Sequence, residues 1–151
     1  MAEMMTTLKP AVFIDADVLF AAAASPSTHS ASTVVLTLGE ITLLDCVTSQ
    51  QAVVESERNI TKKMPTRLPE LQLLVHRCLR VVDDPLPTEL SALKGLADTK
   101  DLPLLVAALR EGCEYFVTFN TRHYYPKVGT IRLLRPGDFL TQIRTRLIGM
   151  L

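Results

Sequence analysis

Ala11 to Ile14 form an unbroken apolar run that stops at Asp15, with Asp17 two residues further on. An apolar run without alternation reads as a strand buried on both faces, the kind found in parallel sheets covered by helices. Open α/β sheets bind their ligands at the carboxyl ends of such strands. A carboxylate at that edge is costly to leave unpaired, and a divalent cation is a common partner for it. The pattern recurs near the other end, where the apolar stretch EYFVTF stops at Asn120. Just before it, a helical stretch is entered through Asp98 and Asp101. Acidic groups far apart in the chain are therefore expected to meet at one edge of one sheet.

Between these anchors, strand and helix patterns alternate. Strands are expected over 41–49, 80–84 and 130–134, besides 11–14 and 114–119. A short helix is expected from Val18 to Ser25. A second carries Val34, Val35 and Leu38, follows an N-cap at Ser27, Thr28 or Ser30, and ends at Gly39 as its C-cap. A long helix over 50–63 starts after Ser49 and turns Val53, Val54 and Ile60 inward. Pro65 breaks it, and Pro69 opens a helix with the stripe Leu71, Leu74, Val75 and Cys78. Leu102 to Arg110 form another helix, stopped by Gly112, and Pro136 opens a closing one. The alternation predicts one domain over 1–151, an α/β fold built as a three-layer α/β/α sandwich with a central, mostly parallel sheet.

Composition narrows the function classes. Apolar residues make up 48% and charged residues 21%, a globular balance with no disordered character. No apolar run is long enough to span a bilayer and the first residues lack a signal-peptide pattern, so a cytoplasmic protein without a membrane partner is expected. Cys46, Cys78 and Cys113 have unrelated spacings and read as free, buried thiols. Lys plus Arg and Asp plus Glu number 16 each, which argues against a nucleic-acid coat protein. A nuclease is still compatible, because site carboxylates mask a local basic surface. Lys62, Lys63 and Arg67, and separately Arg122, His123 and Lys127, are candidates for that surface, and each group reads equally well as solvated charge.

Asp15, at the end of the first strand, is the leading metal ligand. An aspartate there can also cap the next helix, a role that suits Asp17 better. Glu55 and Glu57 lie in the 50–63 helix, and periodicity alone does not choose between them. Asp101 precedes Leu102-Pro103 and is either a ligand or an N-cap, and Asp98 can face the same cleft. Thr118 and Asn120 alternate along their strand and so point to one side of the sheet. Asn120 can ligate a hard cation through its carbonyl oxygen, though it brings no charge.

FIDADVLFAAA, SQQAVVE, DLPLLVAAL and VTFNTRHYY, in that order, resemble a PIN domain, and the terminal LLRPGDFL is similar to that family's last strand and helix start. The likeness covers roughly residues 11–140, and its specificity comes from the order of four individually weak motifs. It implies a metal-dependent nuclease; many members are VapC-type toxins of bacterial toxin–antitoxin pairs. Carried over by position, the family's first aspartate falls on Asp15, its helix glutamate on Glu55, which settles the choice against Glu57, and the aspartate opening its penultimate helix on Asp101. Thr118 matches the hydroxyl that orients the first aspartate. Where the family often has a fourth aspartate this chain has Asn120, which puts a second metal position in doubt, and Asp98 could stand in for it.

The resemblance implies phosphodiester hydrolysis assisted by Mg²⁺ or Mn²⁺, with RNA as substrate, a cognate antitoxin as partner and a homodimer as the usual assembly. One rival is a HAD-type phosphotransferase, since Asp15-Ala16-Asp17 fits its strand-end motif. That fold needs its hydroxyl-bearing strand before its acidic pair, and here Asp98 and Asp101 precede Thr118. The other rival is a degenerate PIN domain that binds RNA or a protein without cutting, a reading that Asn120 favours.

Overall fold

A computed structural model describes residues 9–125 and 131–149. Strands β1 (Ala11–Ile14), β2 (Asp45–Ser49), β3 (Arg80–Val82), β4 (Tyr115–Val117) and β5 (Arg132–Leu134) form one sheet in the order β3-β2-β1-β4-β5. Every neighbouring pair is parallel, so the sheet expected to be mostly parallel is wholly so. Seven α-helices connect or follow the strands among the described residues: α1 (Ala16–Ala24), α2 (Ala31–Glu40), α3 (Gln50–Lys63), α4 (Leu68–Cys78), α5 (Pro87–Ala92), α6 (Leu102–Arg110) and α7 (Pro136–Gly149).

The period-2 pleat splits β1 between two cores. Val12 and Ile14 pack with Leu19 of α1, Leu36 of α2, Leu71 of α4 and Ile143 of α7. Phe13 packs on the opposite face with Val47, Phe116 and the α6 residues Leu104 and Leu105. Helix α3 serves both cores, giving Ile60 to the first and Ala52 to the second. The result is the predicted three-layer sandwich.

From β1 the chain steps outward through β2 to β3, then crosses back to place β4 on the other side of β1. That reversal lies between β1 and β4, where open α/β sheets have their binding crevice. The two carboxyl ends are pinned together there, with the Asp15 amide donating to the Val117 carbonyl at 3.0 Å.

Several local expectations change. Helix α1 starts at Ala16 because the Asp15 side chain accepts its first amide, so capping falls to Asp15 and not to Asp17. Strand β2 starts only at Asp45. Thr42 has φ 68°, and the amides of Leu43 and Leu44 both donate to the Leu38 carbonyl, closing α2 with groups a longer ladder would need. Gly39 lies inside α2 and does not cap it. A Cβ there would stand 2.7 Å from the Cys78 carbonyl and 2.8 Å from Cys46 Sγ, so close packing demands the glycine. On α3 the buried row is Ala52, Ser56 and Ile60, while Val54 is 53% exposed. Ser56 fits there because its hydroxyl donates to the Val53 carbonyl at 2.8 Å.

Other expectations are met. Ser30 and Ser49 accept the Thr33 and Ala52 amides as N-caps, and Gly112, at φ 70°, follows α6 in the left-handed conformation of a helix stop. The three cysteines are buried and unpaired, and burial pushes the Cys46 and Cys113 thiols up to about 12, far from thiolate chemistry. Among the described residues no helix is long and apolar enough to cross a membrane.

Candidate functional site

The centre of the site is Asp15, which is buried at the carboxyl end of β1. Its Oδ1 accepts the Ala16 amide at 2.6 Å. Its Oδ2 accepts two hydroxyls, from Thr118 at 2.8 Å and Tyr124 at 2.9 Å. The sheet positions both donors. Thr118 follows β4 directly, and its Oγ1 is fixed by the Asn120 amide at 3.0 Å. The Tyr124 ring packs 4.5 Å from Phe116, which stacks on Phe13 of β1 with centroids 5.0 Å apart. Burial dominates the ionisation of Asp15 and raises it. The two hydroxyls and the amide pull the other way, and the Asp101 charge adds to the rise.

Asp17 sits in the first turn of α1 and reaches back over the end of β4. Its Oδ2 accepts the Phe119 amide at 3.1 Å and Asn120 Nδ2 at 3.0 Å. Its Oδ1 is buried and accepts no hydrogen bond among the described residues. Burial first, then the Asp15 charge, push this carboxyl up to about 7. Asn120 is thus joined to Asp17 at the site's rim.

Asp98, Asp101 and His123 meet because the loop before α6 pairs with the segment after β4. Asp98 donates its amide to the His123 carbonyl at 2.8 Å, and Ala97 forms an antiparallel bridge with Tyr124. His123 Nδ1 lies 3.2 Å from Asp101 Oδ2 and 3.9 Å from Asp98 Oδ2. The Tyr125 hydroxyl donates to Asp98 Oδ1. Asp101 occupies the N-cap position of α6, yet its side chain makes no capping bond and is turned to His123 instead. Each of the three residues offers one ligand atom within 4.8 Å of the others.

Glu55 approaches from α3. Its carboxyl is raised by burial, then by the Asp15 charge and by Asp101, while Lys100 and Arg58 oppose the rise. It lines an open cavity of about 550 Å³ with Gln51, Arg58, Asp84 and Lys100. Asp15, Glu55 and Asp101 therefore lie within electrostatic reach of one another, whereas Glu57 is half-buried away from this cavity's lining.

Sequence reading missed Tyr124, Lys100 and Arg58. Arg58 was accessible to it, since it stands three residues from Glu55 and shares its helix face. Tyr124 was not, because its placement needs the Phe116 stack. The expected basic surface is only partly here. Lys62 and Lys63 occupy the last turn of α3, roughly 10–12 Å along the helix from Glu55, and Lys63 lies 5.5 Å from the Phe20 ring centroid. Arg67 donates to the Ala23 carbonyl at 2.7 Å, closing the end of α1. Arg122 is exposed beside His123, and Lys127 lies outside the described residues.

Chemically the edge is a set of carboxylates short of positive charge. Asp15 and Asp101 are 6% and 7% exposed, and among the described residues neither pairs with a lysine or arginine. Among the described residues Asp98, Asp101 and His123 are the group whose ligand atoms come close enough to share a divalent cation, two carboxylates and one imidazole, with Asp15 and Glu55 within electrostatic reach of it and Asp17 Oδ1 left without a partner.

A family model described as a PIN domain matches residues 11–122. Among solved structures, VapBC2 from Rickettsia felis, bound to a DNA fragment from their promoter, superposes with a TM-score of 0.57 at 18% identity, over 82% of this chain and 96% of that one. VapC20 from Mycobacterium tuberculosis, a Sarcin-Ricin loop cleaving toxin, gives a TM-score of 0.51 at 14% identity, over 70% of this chain and 86% of that one. These likenesses speak for the fold. No curated protein matches the chain.

Proposed function

The chain belongs to the PIN-domain family, and on that footing we propose that it is a metal-dependent endoribonuclease, the toxin of a toxin–antitoxin pair. One observation carries the reading: Asp15, Glu55 and Asp101 arrive from three different elements within electrostatic reach at one sheet edge, and among the described residues none of them forms an ion pair with a lysine or arginine. A purely structural edge would pair such charges or leave them in water.

In this reading Asp15, Glu55 and Asp101, together with Asp98, would hold Mg²⁺ or Mn²⁺. The ion supplies a Lewis acid and a bound water of lowered pKa. Thr118 and Tyr124 fix the orientation of Asp15, and His123 does the same for Asp101. Lys100 and Arg58, in the cavity beside Glu55, are placed to meet the phosphate backbone of RNA. VapC20 is a Sarcin-Ricin loop cleaving toxin, and RNA as substrate and an antitoxin as partner are proposed by analogy with such proteins.

Incubation of purified protein with single-stranded RNA, with EDTA or with Mn²⁺, tests the proposal. Cleavage that needs the metal and vanishes in Asp15→Asn is expected. Retarded but intact RNA would instead favour binding without cleavage, the reading that the neutral Asn120 supports.

A further inference from the structure

We infer that Asp17 supplies the ligand carboxylate that Asn120 lacks, so that the Asp17–Asn120 pair presents one negative charge to the cation. The inference rests on the metal-site reading above for the identity of its ligand. It gives a ligand role to a residue whose default reading from the sequence is capping or support.

The two oxygens of Asp17 have different jobs. Oδ2 is tied to the end of β4 by the Phe119 amide and by Asn120 Nδ2. The Thr118 hydroxyl, 3.4 Å away, has its one proton committed to Asp15 Oδ2 at 2.8 Å. The neighbouring Val18 amide is likewise committed, to the Asp15 carbonyl at 3.1 Å. That leaves Oδ1 buried with no donor. A buried carboxylate oxygen without a hydrogen bond is costly, and native structures rarely leave one so. Water and cation are the remaining partners. A cation is favoured because the Oδ2 atoms of Asp15 and Asp17 lie 2.8 and 3.4 Å from the one Thr118 oxygen, which crowds two carboxylates whose repulsion a cation relieves and a water does not.

The same geometry explains the amide at position 120. Nδ2 donates to Asp17 Oδ2 at 3.0 Å. An aspartate there would set oxygen against oxygen and lose the donor. Asp17 with Asn120 thus keeps one charge across the pair, with the carboxylate on the α1 side and the amide on the β4 side.

Exchange of the two residues tests this. Mn²⁺ is titrated calorimetrically into the full chain and into Asp17→Asn, Asn120→Asp and the double variant, with a thermal melt of each. Asp17→Asn should bind Mn²⁺ at least about tenfold more weakly, at a melting temperature close to that of the parent. Asn120→Asp should melt lower without metal and gain more from Mn²⁺ than the parent does. The double exchange keeps the charge and the hydrogen-bonded pair, and should bind within a few-fold of the parent. A role confined to anchoring β4 would move the melt and leave the Mn²⁺ affinity alone, so a parent-like isotherm for Asp17→Asn overturns the inference. If that variant does not fold, the double exchange decides: binding supports the pair, and loss of binding by a folded protein overturns it. Absence of Mn²⁺ binding by the parent chain would instead overturn the metal-site reading, and this assignment with it.

Discussion

The two edges of the sheet treat acidic residues in opposite ways. At the amino edge Asp45, Glu111 and Glu114 each have a guanidinium. Arg80 bridges Asp45 at 3.0 Å and Glu111 at 2.9 Å, and Arg146 grips Glu114 with both terminal nitrogens at 2.6 and 3.1 Å. At the carboxyl edge Asp15, Asp17 and Glu55 form no ion pair among the described residues, and Asp98 and Asp101 have only His123. Lysines plus arginines equal the acids at 16 each, and the arginine bridges of the sheet stand at one edge. Carboxylates left crowded at the other edge are what the proposed metal site requires, since mutual repulsion and burial both work against them without a cation.

The sharpest way to break this contrast is Asp15→Asn. Substitution removes the most buried charge of the cluster while preserving shape, and should cut metal-dependent RNA cleavage by at least about a hundredfold. Stability without metal should change little or rise, because relief of repulsion offsets the lost charge-assisted bonds. Cleavage near the parent rate would place the chemistry elsewhere.

Next in size is the response to metal and pH. Mn²⁺ at about a hundred times its Kd should add about 2.7 kcal/mol of stability, a melting shift of roughly 5–10 °C, which Asp15→Asn should lose. In EDTA the edges should titrate with opposite signs. Asp17 is raised from 3.8 to about 7, so between those values the folded chain holds the proton that the unfolded chain has released, and stability falls as pH rises through that window. The upward displacement of Asp15 and Glu55 has the same sign. Glu111 is lowered by Arg80, so its contribution is present above pH 4.5 and fades as pH drops below it. Melts in EDTA that keep rising from pH 4 to 7 would contradict the carboxyl-edge part, and saturating Mn²⁺ should flatten the loss.

How far the sequence discloses this site depends on the range of the contacts that build it. The apolar run before Asp15 marked a strand end, and with the PIN resemblance it pointed to Asp15, Glu55, Asp101 and Thr118; the structure bonds Thr118 to Asp15 and sets Glu55 and Asp101 within electrostatic reach of it. The pairing of the Asp98 loop with His123 and Tyr124 was not legible, because a single antiparallel bridge between irregular segments leaves no periodicity. Val54 illustrates a related failure. Apolar spacing turned it inward, but the position opens onto the cavity beside Glu55 and is 53% exposed.

Tyr124→Phe probes that illegible part with a smaller effect. The ring keeps its packing on Phe116 while Asp15 Oδ2 loses one of its two hydroxyl donors. Loss of a hydrogen bond to a charged group costs roughly 1.5–3 kcal/mol when buried, shared between folding and metal binding. Mn²⁺ affinity should fall several-fold. Unchanged affinity and unchanged stability together would show that Thr118 alone suffices to hold Asp15.

The smallest effect is expected at the amino edge and serves as the control for the comparison. Arg146 bonds Glu114 through both terminal nitrogens, but the two side chains are 33% and 45% exposed, so water competes for each charge. Pairs of that kind are worth about 0.2–1 kcal/mol, near the upper figure when the geometry is bidentate. Arg146→Ala should therefore lower stability by about that amount, with part of the loss coming from its aliphatic stem. High salt should shrink the difference, because the pair is open to screening. Mn²⁺ affinity should not move, since the strands separate this edge from Asp15 and no charge at the carboxyl edge pairs with Arg146. A change in Mn²⁺ affinity as large as that of Tyr124→Phe would mean that the two edges are coupled through the sheet, and the contrast between a braced edge and a poised one would have to be abandoned.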